Sequence, residues 1–316
     1  MFHKTMKFGL AVATAFGIAG AVQAQEKIDY PVDSVRLVVP QSAGGGTDAS
    51  ARLFADMFNK YTDAQMVVVN QKAGGGVVAQ QTVLKGATDG GQLYFNHAAD
   101  HVANLLGKTP FSYKDFRTLG TTAALSDVVL VPADAPYNTL GELVDYAKKH
   151  PKELTYVTQF GGTTEAKANA INSAADDSFK IVDGGSGADR IVLLLGGNAD
   201  VSAEGVRFAK EHTGAGTLKA LAVLRADRDP LVPDWPTAAE QGYDIDMPYY
   251  FTISAPEGID DAAVSAVDEV LEKLRDDKEF AESLANLGQS PAIRTSDEAG
   301  SFVEQEYGTI EKFISK

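Results

Sequence analysis

Four times along this chain a short β-branched or apolar run gives way to a glycine-rich loop and then to a segment of helical period. Val35 to Pro40 precedes Ser42-Ala43-Gly44-Gly45-Gly46-Thr47-Asp48, and Leu53, Phe54, Met57, Phe58 and Tyr61 then recur at three- and four-residue spacing. Met66 to Asn70 precedes Lys72-Ala73-Gly74-Gly75-Gly76, with a helix expected over Val77 to Lys85. Leu154 to Thr158 leads into Gln159-Phe160-Gly161-Gly162-Thr163-Thr164, and Lys180 to Asp183 into Gly184-Gly185-Ser186-Gly187. Further strands are expected at Gln92 to Asn96, Val128 to Val131 and Leu218 to Leu224. Capping boxes start helices at Thr139 with Glu142, Thr237 with Glu240 and Thr295 with Glu298. Such alternation selects an α/β fold with mostly parallel sheets.

The geometry of each unit has a chemical consequence. A loop between a strand and a helix sets backbone N–H groups and a helix N-terminus at the carboxyl end of a sheet, where they bind anions. Glycine lets the backbone approach a ligand in conformations that a side chain forbids. One such loop is explained by a turn alone; four at corresponding points suggest a ligand clamped between two sheets. None carries the Gly-Lys-Ser/Thr ending of a phosphate-binding P-loop, and none has the third glycine of the dinucleotide fingerprint. Few cations stand nearby: Lys72, Arg190 and Arg207. A carboxylate suits this amide-dominated setting better than a phosphate.

Composition narrows the classes further. The chain has no cysteine, which removes disulfides, thiolate metal sites and cysteine nucleophiles. Its formal charge of −15 argues against non-specific nucleic-acid binding. Lys4 and Lys7, the uncharged run Phe8 to Val22 and Val22-Gln23-Ala24 read as an export signal cut after Ala24. Cleavage there leaves 26 cations against 43 acids, a formal charge of −17. The protein is expected to be exported, periplasmic, soluble and monomeric. Crossovers between two domains suit Ala124 to Val128 and Tyr250 to Ala255, so that residues 25–125 plus 251–316 form one domain and 126–250 the other.

The opening Tyr30-Pro31, Val35 to Pro40, Ala43-Gly44-Gly45-Gly46-Thr47-Asp48 and Ala51-Arg52 resembles the substrate-binding proteins of tripartite tricarboxylate transporters, the TctC or Bug family. The likeness continues through Val67 to Asn70, Ala73 to Gly76, Ala87 to Gly90, Leu194 to Gly197, Leu218 to Val223, Val232 to Thr237, Glu240 to Tyr243, Ser254 to Gly258 and Leu287-Gly288. It implies a two-domain periplasmic binding protein of the type II-like class, with the ligand cleft between domains that close on a hinge. It implies a receptor with no cofactor and no metal, which delivers a di-, tri- or aromatic carboxylate to membrane permease subunits. It further implies that Ser42 to Asp48 and Lys72 to Gly75 hold one carboxylate, with Asn96 and His97 beside them. From the second domain it implies Gln159 to Thr164, Asp183, Gly184, Glu204 and Arg207. The chain departs from the family at Val182 to Gly185 and Ala203 to Arg207, so the far end of its pocket is its own. Arg207 or Arg190 could pair with a second carboxylate, or either could be a solvated helix charge. Tyr249, Tyr250 and Phe251 could line the cleft or pack a hinge.

Other chemistries are weaker fits. His97 and His101 are four apart with Asp100 beside them, but a zinc site lacks its third ligand. Gly184-Gly185-Ser186-Gly187-Ala188 imitates a nucleophile elbow, with Asp200 and His212 following in hydrolase order. A serine hydrolase would need more strands before Ser186. A sensing role, in which the closed form engages a periplasmic sensor domain, is the alternative among binding proteins.

Overall fold

The structure, a computed structural model, describes Met1 and residues 27–314; the export signal and its cut after Ala24 lie outside the described residues. The chain runs β1 (Ser34–Val39), α1 (Gly46–Tyr61), β2 (Gln65–Asn70), α2 (Val77–Leu84), β3 (Gln92–Asn96), α3 (Ala99–Leu105) and β4 (Phe116–Leu125). It continues with β5 (Asp127–Pro132), α4 (Leu140–Lys149), β6 (Thr155–Thr158), α5 (Thr163–Ala174), β7 (Lys180–Asp183), α6 (Gly187–Leu195), β8 (Val201–Gly205), α7 (Val206–Gly214) and β9 (Leu218–Val223). β10 (Tyr249–Pro256), α8 (Asp261–Arg275), α9 (Lys278–Asn286), β11 (Ser290–Arg294) and α10 (Ser296–Glu311) complete it.

Two sheets result, in the orders β11-β4-β10-β3-β1-β2 and β7-β6-β8-β5-β9. The strand–loop–helix units give the parallel parts: β2 and β3 flank β1, and β7 and β8 flank β6. Each sheet is completed by antiparallel pairs, so both are mixed: β10 and β11 run against the other four strands of the first, and β5 alone runs against the other four of the second. The added antiparallel pairs have a structural reason. Only Ser126 separates β4 from β5, so one extended path leads from the first sheet into the second. β10 brings the chain back and pairs along β4 from Tyr249 opposite Leu125 to Pro256 opposite Phe116.

The first core packs α1 and α8 on the sheet. Phe54, Phe95 and Phe251 stack at centroid separations of 6.4 and 5.8 Å, which carries aromatic packing from α1 through β3 to the returning strand. The second core sets Leu140, Leu143 and Val144 of α4 and Ala168 and Ile171 of α5 against Tyr156 and Val201. Ile310 and Ile314 join that second core, and the Asn169 side chain bonds to the Phe313 carbonyl at 2.8 Å. The last helix therefore docks on both halves. The caps at Thr139 and Thr237 form, each hydroxyl accepting an amide at 3.0 Å. Thr295 makes no such bond, because the next residue, Ser296, is tied by its amide and hydroxyl to Asp268 of α8.

Candidate functional site

Between the two sheets lies an open cleft with a cavity of about 440 Å³. From the first sheet it is lined by Gln41, Gly46, Thr47, His97, Ala99, Leu287 and Gln289. From the second it is lined by Gln159, Gly161, Gly162, Thr163 and Thr164. Leu125, Tyr249 and Phe251 of the crossing strands form its floor. Of the residues expected from sequence, the cavity thus brings together Gly46, Thr47, His97, Gln159 and Gly161 to Thr164.

The loop after β1 is shaped from within. Gly44 sits at φ +82°, in the left-handed region, and its N–H donates to Asp48 Oδ2 at 2.8 Å. The same oxygen accepts from Arg52 Nε at 3.0 Å, while Oδ1 accepts from Asn70 Nδ2 at 2.9 Å. Burial pushes the Asp48 carboxyl up, but the Arg52, Gly44 and Asn70 hydrogen bonds outweigh it and hold the pKa below the usual carboxylate range. Asp48 therefore braces the loop and does not line the cavity. Its neighbours benefit: α1 begins at Gly46 without a side-chain cap, leaving the amides of its first turn to face the cleft. Ser42, Ala43 and Gly45 are exposed next to it.

The loop after β2 winds through three consecutive left-handed glycines, Gly74, Gly75 and Gly76, at φ +63°, +66° and +97°. A Cβ on Gly76 would stand 3.0 Å from Pro40 Cβ, so this glycine lets the second loop lie against the end of β1. α2 also starts without a side-chain cap. Lys72, Ala73, Gly74 and Gly75 are exposed outside the cavity wall.

After β3 the two expected residues diverge. His97 lines the cleft, edge-on to Tyr249 and Phe251 at 5.8 and 5.7 Å. Its Nδ1 accepts the Ala99 amide at 3.2 Å, so in the neutral ring the proton sits on Nε2, a hydrogen-bond donor. Burial lowers its pKa and keeps it neutral. Asn96 instead turns away and donates to Asp100 Oδ2 at 3.1 Å, where the Tyr94 hydroxyl also bonds at 2.6 Å. The Tyr94–Asp100 pair captures the amide that a ligand was expected to use. His101 pairs with Glu306 at 3.3 Å, so the two imidazoles serve separate partners.

In the second half, Thr164 Oγ1 accepts from the Thr158 hydroxyl at 3.0 Å and from the Gln159 amide at 3.2 Å. Gly161, at φ +70°, donates its amide to Glu165 at 2.6 Å. These bonds fold the loop back so that α5 begins at Thr163 with an uncapped N-terminus on the cleft. Phe160 points outward, half exposed, and its amide reaches Asp183 Oδ1 at 3.3 Å. Asp183 therefore joins two loops outside the cavity. Gly184 packs backward, since a Cβ there would stand 3.0 Å from both Val157 and Arg190.

Glu204 and Arg207 do not line the cavity. Glu204 is buried and forms a two-pronged pair with Arg190 at 2.7 and 2.8 Å, with Ser202 donating at 2.5 Å. Arg190 spends its remaining reach on the Gly185 carbonyl at 2.7 Å. Burial pushes the Glu204 carboxyl up. Arg207 lies on the exposed side of α7, with its Cβ packed against Gly288. Neither arginine lines the cleft. Ser186 caps α6 by exchange with Asp189 at 2.6 Å, and the His212 ring faces Thr217 at 3.4 Å, so no bond joins the two hydrolase candidates.

Sequence reasoning missed one buried pair. Lys167 of α5 donates to Asp127 at 2.5 Å and lies 3.6 Å above the Tyr249 ring. Burial pulls the Lys167 pKa down, with Asp127 opposing. Its only sequence signal is a lysine flanked by Ala166 and Ala168 and one helical turn before the apolar Ile171. Across the mouth, Lys108 and Leu106 of the first half lie over Gly161, and Gly288 meets Arg207. The two halves touch on these contacts.

The profile of the tripartite tricarboxylate transporter family receptor matches residues 50–316. A UPF0065 protein in the gbd 5′ region of Cupriavidus necator is 30% identical over 323 residues, spanning 98% of this chain and 97% of its own. A crystal structure of a TctC solute-binding protein from Polaromonas, without ligand, superposes with a TM-score of 0.82 at 23% identity, covering 90% of this chain and 98% of its own. MatC from Rhodopseudomonas palustris with bound malate superposes with a TM-score of 0.70 at 26% identity, covering 90% and 100%.

Proposed function

The chain belongs to the tripartite tricarboxylate transporter receptor family, and from that premise we propose that it captures a small organic acid and hands it to a membrane permease. The observation that carries the reading is the meeting of two uncapped helix N-termini, α1 at Gly46 and α5 at Thr163, on one cleft. Each presents first-turn amides, Gly46 and Thr47 on α1 and Thr163 and Thr164 on α5, and the positive end of a helix dipole. A carboxylate at one end and a second acceptor at the other satisfy both. His97 supplies a neutral Nε2–H donor beside the first. A volume of about 440 Å³ suits a di- or tricarboxylate or a small aromatic acid, and malate bound by MatC supports the acid class.

Closure follows from the crossing strands. Residues 27–125 with 251–309 and residues 126–250 move as two bodies, bending where β4 passes into β5 and where the chain returns into β10, while the end of α10, packed on the second core, is the third link between them. The ligand binds one set of amides, and closure adds the other and buries it. Lys108 beside Gly161 and Arg207 beside Gly288 already bring the two halves together, and closure would tighten these contacts. The receptor works outside the cytoplasmic membrane, performs no chemistry on its cargo and presents the closed form to the permease.

A thermal-shift screen of aliphatic and aromatic acids tests this. A bound acid at a hundred times its Kd adds about 2.7 kcal/mol to the folded state, so one di- or tricarboxylate should raise Tm clearly. Stabilisation by sugars or amines, with every acid silent, overturns the reading.

A further inference from the structure

On β10, Tyr249 and Phe251 line the cleft, whereas Tyr250 between them lines a different, open groove of about 470 Å³. Alternate residues of a strand face opposite ways, so the groove lies behind the crossing strands, with no lining residue in common with the cleft. Three arginines converge on it, Arg225, Arg275 and Arg294, along with Glu298 and the backbone of β11. The chain has nine arginines in all and a strongly negative net charge, so a third of them in one groove is a local reversal of sign.

The arginines are unequally committed. Arg275 shares its guanidinium between Glu272 at 3.2 Å and Glu298 at 3.1 Å, both exposed. Arg225 spreads one nitrogen over Ser126, Asp229 and Ser290, each at 3.3 Å, longer than a strong charged hydrogen bond. Arg294 has no carboxylate within ion-pair distance among the described residues. It is fixed by stacking instead, 3.6 Å from the Phe302 ring centre and 4.9 Å from that of Tyr250. Stacking immobilises the fork, whose Nη1 makes one long bond to Thr121 Oγ1 at 3.5 Å, and Arg294 lines the groove without a carboxylate partner among the described residues, an arrangement that favours a planar oxyanion. Arg225 follows β9 of the second sheet, while Arg275 and Arg294 belong to α8 and β11 beside the first.

We propose that this groove is a second anion site, distinct from the acid cleft, that takes a small polyanion carrying at least two carboxylate or phosphate groups and spans the two halves behind the hinge. The bound anion bridges Arg294 to Arg225 or Arg275, replacing their long or exposed bonds with shorter charge-assisted ones. It ties the segment after β9 to β11, and so it bears on how far the cleft opens.

Calorimetric titration of the whole protein with pyrophosphate provides the test, with citrate titrated in parallel against a Gly45→Val variant whose cleft is obstructed. Pyrophosphate binding should be saturable and weaken with salt. It should fall about tenfold in Arg294→Gln and in Arg275→Gln, the latter being an exposed change that leaves packing intact. Lys85→Gln and Lys180→Gln, exposed cations outside the groove, should leave it unchanged. Citrate binding that survives Gly45→Val but not Arg294→Gln identifies carboxylates as ligands of the groove; pyrophosphate alone identifies phosphates. No saturable binding of either anion, equal losses in the lysine controls, or binding only of an acidic peptide overturns the proposal. Both anions are also titrated into Gly45→Val, so that groove binding is read with the cleft obstructed and stands apart from whether the cleft binds acids.

Discussion

The loops that reach the cleft from the first sheet carry left-handed glycines, exposed amides and one brace, Asp48, whereas those from the second sheet rest on two buried ion pairs, Lys167–Asp127 and Arg190–Glu204. The first side is a shaped backbone with little beneath it. The second is a charged platform whose charges cancel pairwise before a ligand arrives. On the proposed function, this division would suit an acidic receptor for acids: amides, helix ends and a neutral histidine would supply attraction and leave no fixed charge behind when the ligand departs. The buried cations hold strands and helices in place, because each is already matched. The departures of this chain from its family at Val182 to Gly185 and Ala203 to Arg207 fall on that platform, around Arg190 and Glu204.

The sharpest way to break the contrast is to unpair the platform. Lys167→Met should strand the Asp127 carboxylate in the interior and cost about 3–5 kcal/mol of stability, read by chemical denaturation. Lys167→Met combined with Asp127→Leu should recover most of that loss, since no buried charge is then left unmatched. A single variant as stable as the parent would show that the pair is not a structural element and that the ammonium is free for a ligand.

The first side should respond through binding more than through stability, and its two glycine loops should differ. Gly75 stands at φ +66°, so Gly75→Val forces a β-branched residue into left-handed backbone at a cost of ~1–2 kcal/mol. Gly45 has φ −81°, and a Cβ there meets only the Ser42 carbonyl at ordinary contact distance, 3.5 Å. Gly45→Val should therefore stay within about 0.5 kcal/mol of the parent while obstructing the approach to the α1 amides. Loss of charge-assisted amide contacts corresponds to about 10–100-fold in affinity. Unchanged acid affinity in Gly45→Val would remove the amides from the site and leave the loop a structural turn.

What the sequence made legible follows the same division. β1, β2 and β3 and the helix after β2 fall within a residue or two of expectation, because period and glycine punctuation are local signals. β4, Phe116–Leu125, with Thr, Ala and Gly at its centre, reads as neither strand nor helix, and it takes its conformation from β10 and β11 on either side. Tyr249–Pro256 is rich in strand-forming Tyr, Phe, Thr and Ile, but its partners β3 and β4 lie more than a hundred residues back, so the sequence shows it as a crossing only. In the site, Gly46, Thr47, His97 and Thr163 could be placed because they end local units. Gln289 and Leu287 could not, since they arrive at the cleft from the far end of the chain. Glu204 looked available until Arg190, fourteen residues earlier, was seen to hold both its oxygens. Lys167 was invisible because its partner is forty residues away.

The smallest effect should come from His97, where the two sides meet through its edge contacts with Tyr249 and Phe251. Burial lowers its pKa in the folded protein relative to the unfolded chain. Just below the ordinary histidine value of about 6.5, the unfolded chain therefore binds a proton that the folded protein refuses. Stability must then rise with pH through that region and lose its dependence on this group above it. His97→Gln should flatten the rise, measured as the difference in Tm between mildly acidic and neutral buffer, while retaining a side-chain N–H near the cleft. His97→Ala removes the donor and should weaken acid binding about threefold to tenfold. If acid affinity is untouched in His97→Ala but the pH slope disappears, the imidazole belongs to the floor of the cleft rather than to its ligand, and the first side binds through backbone alone.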